Sequence, residues 1–291
     1  MFKNRQSVQG WLPSTRRIIV SFSLACLLLL ACVPEALAAS SANSQASSLV
    51  GPKQYYLALG DSLAFGYQPD FDFFHGYVDD FFSNLQSHGV KSVANMGCPG
   101  ETSKTFINGG CPYPYLRKYP YSGAQLSAAV TYLKTFSGKV SPVTLDIGAN
   151  DLLHDFDRST CQVNDQQFQT DLQTLDTNLT QTILPQLRAA LTVNGQVTGD
   201  IVMMNYYDPF QNICPNTVPF TQTLNQHLAN DVNGFGSIVD VFEAFGGARV
   251  PNPHICKYTW MCAASPLGPN IHPTDKGYEL IADTFEKGTR F

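Results

Sequence analysis

The sequence predicts an α/β fold in which one parallel sheet of five strands carries helices on both faces. Three observations point there. Short apolar runs alternate along the chain with stretches of helical spacing. The strand candidates are rich in Val, Ile and Leu, as strands covered by helices on both faces are. The residues with the most chemical capability then fall at strand ends or helix starts, the edge where such sheets bind ligands.

The elements follow in order. Tyr55–Leu59 is an apolar run ending at Gly60, the first strand. Gly76–His88 has helical spacing through Tyr77, Phe81, Phe82 and Leu85. Ser92–Ala94 is a short second strand. Ser122–Phe136 is helical, with Leu126, Val130 and Leu133 on one face. Val143–Ile147, ending at Gly148, is the third strand. Asp165–Leu191 is the longest helical pattern, with Phe168, Leu172, Leu175, Leu179, Ile183, Leu187 and Leu191 recurring three or four residues apart. Pro185 inside it predicts a kink or a break. Asp200–Asn205 and Ser237–Val241 are the fourth and fifth strands. Thr221–Asn233 and Pro273–Lys287 are the last helices.

The 291 residues divide into a leader, a lead-in and one domain. Met1–Arg17 carries four basic residues and no acid, Ile18–Ala31 carries no charge, and Ala36-Leu37-Ala38 follows. This is the layout of a signal peptide over 1–38, too short in its apolar part to span a bilayer comfortably. A retained anchor, or a lipid anchor on Cys32 in Leu29-Leu30-Ala31-Cys32, is the alternative. The expected location is thus extracellular, or lipid-anchored on the outer face of the membrane. Residues 39–50 are Ser/Ala-rich and read as a flexible linker. Residues 51–291 are long enough for one sizeable core and one domain.

Export fits the cysteines. Of eight, Cys26 and Cys32 lie in the leader, leaving six. An even set in an exported chain reads as disulfides. Fifteen connectivities exist, and short loops close most easily, which favours Cys98–Cys111, Cys161–Cys214 and Cys256–Cys262. No C-x-x-C pair and no H-E-x-x-H occurs, so no metal is expected. The net charge of −5 and the lack of a basic run after the leader argue against nucleic acid as a partner. A monomer is expected.

Four motifs carry chemistry. Gly60-Asp61-Ser62-Leu63 follows the first strand directly and places a serine at a helix start, where backbone N–H groups meet developing negative charge. Asp and Ser are also ordinary helix caps. It is not the G-x-S-x-G elbow, since Ala64 stands at the second glycine position. Asn95-Met96-Gly97 can bring a backbone N–H close to a ligand, or be a plain turn. Gly148-Ala149-Asn150-Asp151 ends the third strand, and an Asn amide donates without charge. His272-Pro273-Thr274-Asp275-Lys276-Gly277-Tyr278 sets a histidine before a Pro-started helix, and neutral imidazole accepts a proton near pH 7.

Taken together, Ser62 in G-D-S-L, Gly97 in N-M-G, Asn150 in G-A-N-D and His272 before P-T-D-K-G-Y resemble the SGNH hydrolases, the GDSL esterase/lipase family, over about residues 55–285. The resemblance implies a three-layer α/β/α sandwich of the flavodoxin-like type. It implies that Ser62 attacks an ester carbonyl, with His272 as base and then acid. The oxyanion hole would be the N–H groups of Ser62 and Gly97 and the side chain of Asn150, with no cofactor. Acyl transfer by the same residues and a non-catalytic surface-binding module remain as alternatives. One departure stands out. The family pattern has Asp three residues before the histidine, and here that position is Pro269. The neighbouring Asn270 is neutral and could at best accept a bond through its amide oxygen, so the expectation is a Ser–His dyad whose imidazole is oriented by a backbone carbonyl of Leu267–Pro269, with Asp275 the least unsuitable carboxylate. The substrate is a small-molecule or lipid carboxylic ester, a short or medium acyl chain preferred. The aromatics of Asp70–His75 and Tyr113–Tyr121, with Trp260, are candidates for an acyl pocket or a sugar platform.

Overall fold

A computed structural model describes residues 49–291, so the leader, Cys32 and most of the lead-in lie outside the described residues. The central sheet consists of β1 (Tyr55–Gly60), β2 (Ser92–Asn95), β3 (Val140–Asp146), β4 (Ile201–Met204) and β5 (Ser237–Val239). All pairings are parallel and the order is β2-β1-β3-β4-β5. This is the doubly wound, flavodoxin-like order, and it confirms the three-layer α/β/α fold. Tyr56–Leu59 and all of β3 are buried, as strands covered on both faces are, and the buried polar Thr144 and Asp146 of β3 hydrogen-bond to the hydroxyls of Tyr56 and Tyr77.

The helices are α1 (Ser62–Phe65), α2 (Tyr77–Gln86), α3 (Ser103–Asn108), α4 (Gln125–Thr135), α5 (Ala149–Leu152), α6 (Asp165–Asn178), α7 (Leu184–Ala190), α8 (Val218–Val232), α9 (Val241–Ala244), α10 (Pro253–Tyr258) and α11 (Asp275–Thr289). One layer joins α2 to α11, where Tyr77 stacks on Phe285 at 5.1 Å between ring centroids. On the other side α4 packs against α7, and α6 against α8.

Three sequence expectations shift. The long helical pattern is interrupted at Leu179–Ile183 by a π-turn, one turn ahead of Pro185. The wider i→i+5 register there accommodates the missing proline N–H without breaking the element. The last helix starts at Asp275 rather than Pro273, so His272 precedes the Thr274 cap in a loop. Finally, Val50 and Gly51 both donate their N–H to the Asp200 carboxylate, at 2.9 and 2.8 Å. Contact with the domain therefore begins inside the expected linker. Disulfides join Cys98 to Cys111, Cys161 to Cys214 and Cys256 to Cys262. Among the described residues no helix is long and apolar enough to cross a membrane.

Candidate active site

The sheet register delivers the site. Gly60 at the end of β1 pairs with Asp146 at the end of β3. Ser62 and Asn150 thus emerge side by side above the sheet. Gly60 has φ +143°, and a Cβ there would lie 2.2 Å from the Asp146 carbonyl oxygen, so only glycine fits this turn. Asp61 then caps α1, its carboxylate accepting the Leu63 N–H at 2.9 Å. Ser62 is the first helical residue, and its N–H belongs to the donors a helix start leaves without an intrahelical partner.

Two buried carboxylates support the turn. Asp146 accepts the N–H groups of Asp61 and Ala64 and the Tyr77 hydroxyl, the last at 2.6 Å. Burial pushes Asp61 up to about 6. Asp146 is pushed well above the carboxylate range by burial, then by the neighbouring Asp61 charge.

His272 comes from the far end of the chain and meets Ser62 directly, with Nε2 2.8 Å from the serine Oγ. Its loop is zipped to the Cys256–Cys262 segment. Trp260 N–H donates to the His272 carbonyl at 2.9 Å, and Asn270 N–H to the Trp260 carbonyl at 3.0 Å. The Tyr207 hydroxyl donates to the Ile271 carbonyl at 2.6 Å, and the Tyr67 ring lies 4.6 Å from the imidazole.

The imidazole is not oriented by a backbone carbonyl of Leu267–Pro269, contrary to the sequence expectation. The Asn270 side chain does this, with Oδ1 2.5 Å from His272 Nδ1. A two-residue separation lets the Asn side chain fold back over the loop, a geometry that Pro269 cannot offer. Asp275 lies elsewhere, accepting from Gln68 Nε2 at 2.6 Å. Burial lowers the His272 pKa to about 3, and the Arg158 charge adds to that shift.

Of the two other oxyanion candidates, Gly97 packs against Ala64 and Phe65 of α1, and Asn150 lines the same cavity as Ser62. The Gly97 N–H donates to Asn95 Oδ1 at 3.0 Å. A Cβ on Gly97 would sit 2.5 Å from Phe65 N, so glycine lets this loop close on α1. Asn150 Nδ2 donates to the Glu101 carbonyl at 3.0 Å and to Asp61 Oδ2 at 3.2 Å.

From Ser62 and His272 opens a cavity of about 130 Å³, mainly apolar, walled by Leu152, Phe156, Phe168, Phe210, Phe220 and Leu224. Asp208 shapes one wall, accepting the Phe210 N–H and the Thr217 hydroxyl. The Cys161–Cys214 bridge ties that wall to the segment carrying Phe156. The aromatics singled out in the sequence do not line it. Phe73 packs on Phe65 and Tyr67, while the Trp260 indole N–H donates to Gln68. Its apolar wall residues carry no motif. Phe168 and Leu224 show only helical spacing, which buries them in any case, and Phe156 and Phe210 lie outside helices with no signal of their own.

Comparison with known proteins supports the fold. The chain is similar in structure to the lipase Lip_vut3 from a goat rumen metagenome (TM-score 0.58, 17% identity, covering 81% of this chain and 97% of that one). It is also similar to a Parabacteroides merdae protein of the GDSL-like lipase type (TM-score 0.55, 15% identity, 83% and 99% covered). A variant of Axe2, an acetyl-xylooligosaccharide esterase from Geobacillus, follows (TM-score 0.50, 18% identity, 83% and 96% covered). No curated protein sequence matches. At these identities the structural matches establish the fold. The sequence itself matches the model of the GDSL-like Lipase/Acylhydrolase family over residues 58–280, most of the chain, and the protein therefore belongs to that family.

Proposed function

We propose that this ester hydrolase is a secreted serine esterase or lipase that works through an acyl-enzyme on Ser62. The observation that carries this is the 2.8 Å bond between Ser62 Oγ and His272 Nε2 at the mouth of an apolar cavity. A serine hydroxyl is a weak nucleophile until a base takes its proton. Here Oγ attacks the ester carbonyl while its proton passes to Nε2. The imidazolium then protonates the leaving alkoxide, and water repeats the cycle on the acyl-enzyme.

The carbonyl oxygen turns negative during attack and needs preorganised donors. The Ser62 N–H, the Gly97 N–H and the Asn150 amide are the groups proposed to supply them. Gly97 then shares its N–H with Asn95 Oδ1, and Asn150 exchanges its long contact to Asp61 for the oxyanion. The acyl chain occupies the cavity, whose Phe and Leu walls suit an apolar chain of short or medium length. Three disulfides accord with a chain exported to an oxidising compartment.

The test is turnover of p-nitrophenyl esters of graded chain length beside Ser62→Ala. Turnover that vanishes in the variant, with a fluorophosphonate labelling Ser62 in the parent, is expected. Undiminished activity in Ser62→Ala would refute the assignment.

A further inference from the structure

Asn270 Oδ1 makes two contacts: to His272 Nδ1, and to the His272 backbone N–H at 3.1 Å. The second identifies the atom. A backbone N–H only donates, so the Asn270 atom facing it is the carbonyl oxygen and not the amide nitrogen. That oxygen cannot donate to Nδ1, so Nδ1 carries the ring proton. Nε2 is then left as the lone pair facing Ser62 Oγ. One amide thereby selects the tautomer in which the ring can act as a base.

Two carboxylates, Asp61 and Asp208, line the cavity that His272 opens into, and neither hydrogen-bonds to the ring. Ser62 and the Tyr67 ring are neutral, and Tyr207 acts through the Ile271 carbonyl. The carboxylate of Asp61 lies beyond the serine, 3.5 Å from Ser62 Oγ. The nearby cation is Arg158, whose guanidinium stacks 5.0 Å from the ring of the cavity residue Phe210. No carboxylate pairs with His272 among the described residues.

We infer that Asn270 is a positioning residue completing an uncharged Ser62–His272–Asn270 group, which holds the imidazole in its basic tautomer without stabilising the imidazolium by a counter-charge. This rests on the roles proposed above for Ser62 and His272. When Nε2 takes the serine proton, the ring becomes a cation with both nitrogens protonated. The Nδ1–H bond to Asn270 persists, and the Nε2 proton leaves with the alcohol. The arrangement keeps the resting imidazole neutral into acid, where a carboxylate-paired histidine would already be protonated. The class of reaction it suits is ester hydrolysis in an acidic medium.

The test uses the full chain and its Asn270→Asp, Asn270→Ala, His272→Ala and Ser62→Ala variants, with thermal melts to show folding. The His272 ring resonance is the one lost in His272→Ala, and its titration is followed by NMR. In the parent it should stay neutral down to pH 5, and in the near-isosteric Asn270→Asp the midpoint should rise by at least one pH unit. Asn270→Ala should lower kcat at least tenfold with KM within about twofold, because part of the ring population turns or adopts the other tautomer. An unmoved midpoint in Asn270→Asp, or an unmoved kcat in a folded Asn270→Ala, overturns the inference. If Ser62→Ala alone abolishes turnover while both Asn270 variants behave like the parent, the hydrolase reading stands and only this inference falls.

Discussion

Asp146 Oδ1 accepts the backbone N–H of Asp61 at 2.9 Å, tying the end of β3 to the turn that presents Ser62. Burial raises both carboxylates. The native state thus holds a proton that the unfolded chain releases. The contribution of this pair to stability is full below about pH 4 and declines as pH rises through 6 and above. Asp146→Asn should flatten that decline, narrowing the gap between urea midpoints at pH 4 and pH 7 relative to the parent. Asp146→Ala should destabilise at every pH, by about 1–3 kcal/mol for each buried donor left unsatisfied. Equal pH slopes for parent and Asp146→Asn would count against the proton.

His272 shifts the other way. Its folded pKa is lowered to about 3. The stability it contributes is present above about pH 6.5 and is lost as pH falls towards 3, because the unfolded chain takes up the proton first. Arg158 is exposed and its field is screened by salt, so Arg158→Gln should raise the His272 titration midpoint by less than one pH unit, and less still at high salt. A downward shift would reverse the sign assigned to that charge.

Gly97→Ala places a Cβ 2.5 Å from Phe65 N and 2.8 Å from the Ala64 Cβ, neither of which can swing aside. Moving α1 away displaces Ser62 as well. Ester turnover should fall at least tenfold with a loss of about 1–3 kcal/mol in stability. Stability loss with kcat unchanged would confine Gly97 to packing.

Chain-length preference should follow the cavity wall. Phe156 packs on Phe210 at 4.9 Å, and Phe156→Ala removes a ring from the lining. The optimum in a p-nitrophenyl ester series should move to longer acyl groups, since a deeper apolar pocket buries more methylenes at about 0.8 kcal/mol each. An optimum that stays in place would assign the cavity to something other than the acyl chain.

The Cys256–Cys262 bridge closes the loop whose Trp260 backbone pairs with His272 and Asn270. Replacing both cysteines by serine should cost about 2 kcal/mol from loop entropy. It should also lower kcat more than it raises KM, because the loosened loop carries the proposed base, His272. An unchanged kcat at a reduced melting temperature would make the bridge purely structural.

Much of this was legible in the chain. The strand at Tyr55–Leu59 announces itself as an unbroken apolar run ending at Gly60, and Val143–Ile147 by Val, Leu and Ile leading into Gly148. Ser62, Gly97, Asn150 and His272 stand in short motifs at element ends, and the family profile spans all four. The pocket did not announce itself. Phe156, Phe168, Phe210 and Phe220 are indistinguishable in sequence from core residues, and the aromatic runs at Asp70–His75 and Tyr113–Tyr121 were the more conspicuous and the wrong candidates for its walls.

The sequence by itself determined the order of strands and helices and the chemistry available at their ends, because periodicity and turn chemistry are local and act within a few residues. The tertiary structure decided which side chain orients His272 and which residues wall the cavity. Those outcomes depend on distances between segments up to 210 residues apart, as for Ser62 and His272. They also depend on rotamers, such as the fold-back of Asn270, that packing selects only after the sheet has assembled.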